Sequence, residues 1–354
     1  MTNDNEQKEN GAQSHTFCVA MLKNGNTVKV EGEIHEFLPT LNEADFGWVN
    51  IELKDFNEEA GKMASALRFN PLTVSELLSK RFSGYEDGVT ELGLLLPAVR
   101  VRHLEVEINP LIILIKSNLV VTMHGEHVTR LIKFARYAVT FFKKVPKNLE
   151  SIDKISLVLI RILDENNEKN FDGIRSIQEQ AEEINKYLID VTGPKQQLGQ
   201  DIYRMKHALI SYLEALWASL DVVHYLRYGD AELITDDQVI LQKIGMLSTD
   251  LTGQISISEQ MSNVLASGLE VLQAIYNNQL TMLNNRLSLL AVWMAILGTA
   301  FIIPNTIATV FGTQIGDKLS WQVELTILIV TTFVSVFAAY YFVRKKGFFP
   351  DKLQ

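Results

Sequence analysis

Two long apolar segments near the C-terminus constrain this 354-residue chain more than any other feature. Residues 287–311 and 325–343 contain no Asp, Glu, Lys or Arg. Each segment supplies the roughly 20 apolar residues that a helix needs to cross a hydrocarbon core of ~30 Å. A short connection, residues 312–324, separates them. The chain is therefore predicted to end in two transmembrane helices that follow a large part outside the bilayer.

Basic residues predict the orientation of these two helices. Arg344, Lys345 and Lys346 directly follow the second apolar segment, whereas the connection contains only Lys318, next to Asp317. Lysine and arginine concentrate on the cytoplasmic side of membrane helices. We therefore expect a multi-pass protein of the cell membrane, with the connection outside and both termini, including the basic tail at 344–354, in the cytoplasm.

The rest of the composition bounds the class of function. Cys18 is the chain's single cysteine, so no internal disulfide can form, which favours a reducing compartment. The formal net charge of −9 argues against nucleic acid as a partner. Residues 1–14 are polar and are expected to be disordered. Because the sequence contains no glycine-rich phosphate motif and no catalytic Ser/His/Asp or Cys/His set, neither an enzyme nor a bound cofactor is predicted.

Residues 15–125 have the pattern of a cytoplasmic α/β domain. Residues 24–26, Asn-Gly-Asn, predict a hairpin turn. Asn57 is predicted to cap one helix, and Pro71 to open the next. The unbroken apolar run at 111–115 predicts a strand covered on both faces. Further strand patterns occupy residues 47–53, 89–99, 104–108, 111–116 and 119–123.

Residues 126–234 are predicted to form cytoplasmic helical hairpins. Helical periodicity covers residues 126–145, 149–165, 172–190 and 196–227. The Asn-Asn-Glu sequence at 166–168 is expected to form a turn. From residue 235, apolar residues recur at steps of three and four, and no proline occurs before Pro304. This pattern predicts a stalk helix, residues 235–286, that continues into the first transmembrane helix and packs on the chain's own helices, on further copies, or on both.

One face of the first transmembrane helix carries polar side chains. At about 100° per residue, eight positions fall on this face: Asn285, Ser288, Val292, Ala295, Thr299, Ile302, Thr306 and Thr309. Polar groups in a membrane helix must meet another helix or water. The face therefore predicts either a helix–helix interface or the wall of a pore in an oligomer. Because it contains no carboxylate, such a pore suits an ion that keeps much of its water, as Mg²⁺ does.

Three acidic residues are weaker candidates for a regulatory metal site. Asp221 lies three residues before His224, a spacing that can ligate a metal on a helix. The neighbouring carboxylates of Asp164 and Glu165 could bind a divalent cation between subunits. Both patterns are also typical of solvated helix faces, and the sequence alone leaves the two interpretations open.

The end of the first apolar segment resembles the CorA family of divalent-cation channels. Residues 303–312 read Ile-Pro-Asn-Thr-Ile-Ala-Thr-Val-Phe-Gly. They are similar to the family's Pro-x-Thr-x-Ile-Ala pattern, which is followed by an aromatic residue and Gly-Met-Asn. Four other segments resemble family motifs in the same order, at residues 46–51, 69–78, 118–124 and 344–349. The resemblance therefore extends from residue 14 to residue 350.

The resemblance implies a homopentameric funnel, embedded in membrane lipid, in which the first transmembrane helix of each subunit lines one pore. It also implies that Gly312, Thr313 and Gln314 form the selectivity loop at the outer mouth. The implied partners are divalent cations, with Mg²⁺ the leading transported or regulatory ion and Co²⁺ or Ni²⁺ as further substrates. Two alternatives stay open: a Zn²⁺ transporter of the ZntB type, and a non-conducting sensor or scaffold with a CorA-like fold.

The chain departs from the family pattern at three places. Thr313 and Gln314 stand where the family has Met and Asn. Ser288 stands where the family has an Asn on the pore helix, and Asn285 lies about one turn deeper. Residues 99–103 are basic, whereas the corresponding stretch of the family carries acidic residues that sense intracellular Mg²⁺.

Overall fold

The structure, a computed structural model, describes residues 16–102, 105–126, 128, 130–189, 196–229, 231–310, 312 and 320–345. The chain divides into two compact units, with the boundary between Leu269 and Glu270. The elements are β1 (Phe17–Leu22), β2 (Thr27–Glu31), α1 (Ile34–Glu43), β3 (Ala44–Leu53), α2 (Phe56–Ala66), α3 (Pro71–Ser79), β4 (Gly84–Asp87), β5 (Leu92–Arg102), β6 (Glu105–Lys116), β7 (Leu119–Gly125), α4 (Arg130–Lys144), α5 (Ser151–Ile189), α6 (Gln196–Tyr228), α7 (Gln238–Val310) and α8 (Trp321–Lys345).

A seven-stranded sheet in the order β2-β1-β3-β7-β6-β5-β4 organises the first unit. Its neighbouring strands are antiparallel except for the parallel pair β3–β7. Residues 111–115 of β6 are all buried, as the apolar run predicted. Val49 belongs to the core cluster that includes buried residues of α1, α2 and α3. Since side chains alternate along a strand, Trp48 faces the other way, where its ring stacks on Phe134 of α4 with centroids 4.6 Å apart.

Buried polar groups in the parallel pair β3–β7 satisfy one another. Trp48 Nε1 donates to Thr122 Oγ1 at 3.0 Å, and Thr122 Oγ1 donates to Asn50 Oδ1 at 2.8 Å. His124 Nε2 lies 3.1 Å from the same Asn50 oxygen. Because an unpaired buried polar group costs about 1–3 kcal/mol, this chain of hydrogen bonds allows polar side chains to lie in the core.

Several local predictions are confirmed, and one helix cap is corrected. β1 and β2 form the predicted antiparallel hairpin, and Gly25 adopts a φ of 86° in its turn. Pro71 opens α3 as predicted. The predicted cap Asn57 is wrong, because Asp55 Oδ1 accepts hydrogen bonds from the N–H groups of Asn57 and Glu58 at 3.0 and 3.2 Å. An aspartate two residues earlier therefore starts α2 at Phe56.

The turn predicted at residues 166–168 is wrong, because α5 passes through it without a break. Asn166 and Asn167 are buried, and both find hydrogen-bond partners far away in the sequence. Asn166 Nδ2 donates to the carbonyl oxygen of Pro97 at 3.2 Å, and Gln254 Nε2 donates to Asn167 Oδ1 at 2.8 Å. These tertiary partners replace the local backbone contacts through which asparagine favours turns.

Two other elements differ from the sequence expectation. The strands predicted at residues 104–108 and 111–116 form one strand, β6, within which Pro110 lies opposite Pro97 of β5. No element was predicted for residues 34–43, which form α1 with Pro39 inside the helix. Proline normally interrupts strands and helices. Pro110 and Pro39 therefore prevented the prediction of β6 as one strand and of α1 as a helix.

The long helix α7 contains residues 238–286 of the predicted stalk. Its start is fixed by Asp237 Oδ1, which accepts hydrogen bonds from the N–H groups of Val239 and Ile240 at 2.7 and 3.1 Å. The helix then continues through the first apolar segment, including Pro304, to Val310. Only 6% of the most apolar stretch of α7, and 6% of that of α8, is buried inside the chain. Both helices are long and apolar enough to cross a membrane.

Cys18 provides a first test of the β-sheet core. The thiol lies fully buried in β1, and burial raises its pKa to about 12. Since the thiolate is the reactive form, we expect no appreciable reaction of the native protein with an aromatic disulfide reagent at pH 8. After unfolding in denaturant, the same assay should find the chain's 1 thiol. Rapid labelling of the native protein would contradict this placement of β1.

Candidate functional site

The predicted polar face of α7 lies open in the structure. Val292 is half-buried, and the other seven positions are exposed: Asn285, Ser288, Ala295, Thr299, Ile302, Thr306 and Thr309. Ile296, with 4% exposure, is buried, and it lies about 80° around the helix from Ser288. The contacts that the described chain makes with itself therefore use a neighbouring side of the helix and leave the polar face available for a partner or for water.

Three threonines on this face donate their hydroxyl hydrogens to their own helix. Each bonds the carbonyl oxygen four residues earlier, at 2.7 Å for Thr299, 2.8 Å for Thr306 and 2.7 Å for Thr309. A hydroxyl has one hydrogen to donate and two lone pairs that accept. With the hydrogen directed to the backbone, each oxygen can offer only acceptors to whatever lies beyond the helix surface.

This arrangement has a definite chemical preference. Water molecules around a cation point their oxygen atoms inward and their hydrogen atoms outward. A surface of hydrogen-bond acceptors therefore matches a cation that keeps its water, and needs no carboxylate to do so. Mg²⁺ loses its water reluctantly and usually keeps several water ligands in proteins.

Gly312 is the one residue of the predicted selectivity loop that the structure describes. It is exposed and follows α7 closely, and a Cβ at this position would meet no heavy atom of the described residues within 4 Å. Thr313 and Gln314 lie outside the described residues. The role of Gly312, Thr313 and Gln314 in selecting ions therefore stays a prediction.

The acidic candidates in α5 are held by an arginine. Arg161 forms ion pairs with both Asp164 and Glu165, one through each terminal nitrogen of its guanidinium. Burial raises the pKa of both carboxyl groups above their ordinary values, and the charge of Arg161 opposes this shift at Asp164. A divalent cation at this position would have to compete with the guanidinium for both carboxylates.

Asp221 is exposed on α6. Its predicted companion, His224, instead places Nε2 2.9 Å from Ser248 Oγ. Within the ranges that the structure describes, no three His, Cys, Asp or Glu side chains are grouped to hold a metal ion. A regulatory site built from Asp164, Glu165 or Asp221 stays a prediction that would need ligands from elsewhere.

The structure also assembles a polar cluster that the sequence analysis did not single out. Arg130 Nη1 donates to Asn166 Oδ1 at 2.9 Å and to Asn170 Oδ1 at 2.5 Å. The spacing of four residues between the two asparagines places them on one face of α5. The spacing alone could have predicted that the two asparagines share a partner. It could not have identified Arg130 as that partner.

These features define a class of protein: a mixed-sheet domain followed by long helices and two apolar C-terminal helices that are long enough to cross a membrane. The family model for the CorA-like Mg²⁺ transporter protein matches residues 43–346. The chain therefore belongs to the CorA-like family, which confirms the resemblance seen in its motifs. Members of this family are membrane transporters and not enzymes.

Solved structures share this architecture at low sequence identity. The complete CorA magnesium transporter of Methanocaldococcus jannaschii is 15% identical, with a TM-score of 0.69, over 94% of this chain and 98% of that one. The full-length CmaX protein is 15% identical, with a TM-score of 0.64, over 95% and 100%. The soluble domain of the same CorA is 17% identical, with a TM-score of 0.58, over 73% and 96%. A search of the curated proteins found no match. These likenesses confirm the predicted fold class.

Proposed function

We propose that this protein conducts hydrated divalent cations, with Mg²⁺ as the main substrate, through a pore lined by the polar face of α7. Membership in a family of Mg²⁺ transporters supports the class of substrate. The observation that carries the proposal is the polar face of α7, on which Thr299, Thr306 and Thr309 present only acceptors. The other proposed pore-lining residues are Asn285, Ser288, Val292, Ala295 and Ile302.

A pore of this kind requires several copies of the chain, because one helix face encloses nothing. The proposal adopts the five copies that the family resemblance implies, with both termini in the cytoplasm. The membrane potential then drives cations inward. It contributes about 2.3 kcal/mol per charge per 100 mV, and hence about 4.6 kcal/mol for a divalent ion.

The experiment that tests the function is cation uptake into proteoliposomes containing the purified full-length oligomer. We expect saturable Mg²⁺ uptake, driven by an inside-negative potential and reduced by Co²⁺ or Ni²⁺ in competition. Uptake of Zn²⁺ with little uptake of Mg²⁺ would instead support a transporter of the ZntB type. A folded oligomer that conducts none of these ions would favour the sensor or scaffold and would refute the proposal.

Gln314 provides a test of the proposed selectivity loop. Glutamine keeps the carboxamide of asparagine but adds one methylene group. In the proposed pentamer this makes each of the five side chains around the axis longer and gives it more rotamers. We expect Gln314→Asn to raise the preference for Mg²⁺ over Co²⁺ by about threefold or more in the same uptake assay. The matched control is Gln322→Asn, the same change in α8. An unchanged ion preference in Gln314→Asn would count against the loop as the filter.

A further inference from the structure

Arg130 is a buried cation. Arg130 lies at the start of α4 and is 7% exposed. Its Nη1 atom donates to three neutral acceptors, Asn166 O, Asn166 Oδ1 and Asn170 Oδ1. Among the residues that the structure describes, no carboxylate forms an ion pair with it. Burial lowers the pKa of Arg130 to about 10, so the guanidinium still carries its charge at neutral pH. A buried charge is normally paired, because leaving water is costly.

A cavity of about 200 Å³ opens beside Arg130, and three of its four charged lining residues are basic. Arg100 of β5, Arg130 of α4 and Lys169 of α5 contribute three positive charges. Asp172 contributes one negative charge, and its carboxylate already pairs with Lys169 at 2.6 Å. The hydroxyl of Ser176 adds a neutral donor. The formal charge of the lining is therefore positive, in a chain whose net charge is −9.

The same cluster contains a hydrogen-bond donor without an acceptor. Asn170 is 1% exposed, and its Oδ1 atom accepts from Arg130. Its Nδ2 atom has no acceptor within hydrogen-bond distance in the described part of the chain. Asn170 does not line the cavity, so the donor capacity that a bound acceptor of negative charge would match is that of Arg130, whose three hydrogen bonds all come from Nη1.

The size of the cavity restricts what that acceptor can be. Sites for drug-sized ligands and cofactors have volumes of about 300–1,000 Å³. Since one water occupies about 30 Å³, this cavity has room for a small ion with a few waters, and a nucleotide would have to extend out of it into solvent. The flat guanidinium fork suits the paired oxygens of an oxyanion better than a spherical halide.

We propose that the cavity between β5, α4 and α5 is a binding site for a small inorganic oxyanion of the phosphate class, held by Arg100, Arg130 and Lys169. The site lies in the first unit of the chain and is independent of the proposed cation pore. A bound anion would pair the charge of Arg130 and link three elements, so it should stabilise the folded protein by mass action.

The test is calorimetric titration of the full-length protein in detergent with sodium phosphate, and separately with sodium chloride at equal ionic strength. We expect saturable binding of phosphate and none of chloride. Lys169→Gln and Arg100→Gln should each weaken phosphate binding by about tenfold or more, since each removes a charge-assisted contact. Arg130→Gln should abolish binding. If this buried variant does not fold, the two less buried variants still decide the outcome.

Arg175→Gln is the matched control, because Arg175 lies in the same helix but is exposed and pairs with Glu179 at 3.5 Å outside the cavity. Its phosphate affinity should equal that of the wild-type protein. The proposal is overturned if wild-type protein shows no saturable heat with phosphate. Equal affinities for the wild type, Lys169→Gln and Arg100→Gln would also overturn it. Binding of adenosine monophosphate more tightly than phosphate would overturn the restriction to a small inorganic ion.

Discussion

Replacing Thr299 with phenylalanine is expected to lower Mg²⁺ uptake by about tenfold or more, because it places an apolar ring in the proposed water-filled path. Thr299 is exposed near the middle of the polar face of α7. In an oligomer the change is repeated in every subunit around the axis, so the rings form an apolar constriction that excludes water. The measurement is initial uptake into proteoliposomes at equal protein density, after confirming the oligomer by light scattering.

Leu297→Phe is the matched control for this experiment. Leu297 is exposed and lies about 180° around the helix from Ser288, so the same ring points away from the polar face. We expect its uptake to remain within about twofold of wild type. Equal loss of uptake in the two variants would mean that the polar face does not conduct and serves only as a packing interface.

The largest expected effect on stability is that of Trp48→Ala in the sheet domain. Trp48 is fully buried, stacks on Phe134, meets Phe17 edge-on at 4.9 Å and donates a hydrogen bond to Thr122. Removing such a side chain leaves a cavity and takes away the hydrogen bond that the Thr122 hydroxyl accepts, although that hydroxyl still donates to Asn50. We expect a loss of about 3–5 kcal/mol. In thermal unfolding of the full-length protein, followed by circular dichroism, this should lower the midpoint by roughly 10 °C.

Trp217→Ala serves as the comparison, since Trp217 is 53% exposed on α6 and its truncation leaves no internal cavity. Its expected effect is within about 0.5 kcal/mol. If the two variants unfolded at the same temperature, the packing of β3 against α4 would not be what holds the domain together.

The sequence predicted those elements whose conformation depends on near neighbours. The hairpin at Gly25 and the start of α3 at Pro71 both follow from local backbone chemistry. The turn expected at residues 166–168 failed because distant partners, Pro97 and Gln254, supply the hydrogen bonds of the asparagines. Such partners are not visible in a local pattern, and they override the local preference for a turn.

The two candidate sites show the same contrast. The polar face of α7 could be read from the sequence, because helical periodicity alone fixes which side chains share a side. The basic cavity could not, because it joins Arg100, Arg130 and Lys169 from one strand and two helices. Only the tertiary structure brings these three charges together.

The hydrogen bonds of Thr299, Thr306 and Thr309 to their own helix backbone also affect whether the proposed pore conducts cations or anions. An anion is solvated by donors, and these three hydroxyls have none left to give. A pore wall made of these hydroxyls would disfavour chloride because their hydrogens point to the backbone and only oxygen acceptors face the pore. No fixed charge is needed for this effect. Fixed charges act over only about 8 Å at physiological ionic strength and less in stronger salt. Discrimination between cations and anions should therefore persist in concentrated salt, where a ring of carboxylates would lose much of its effect.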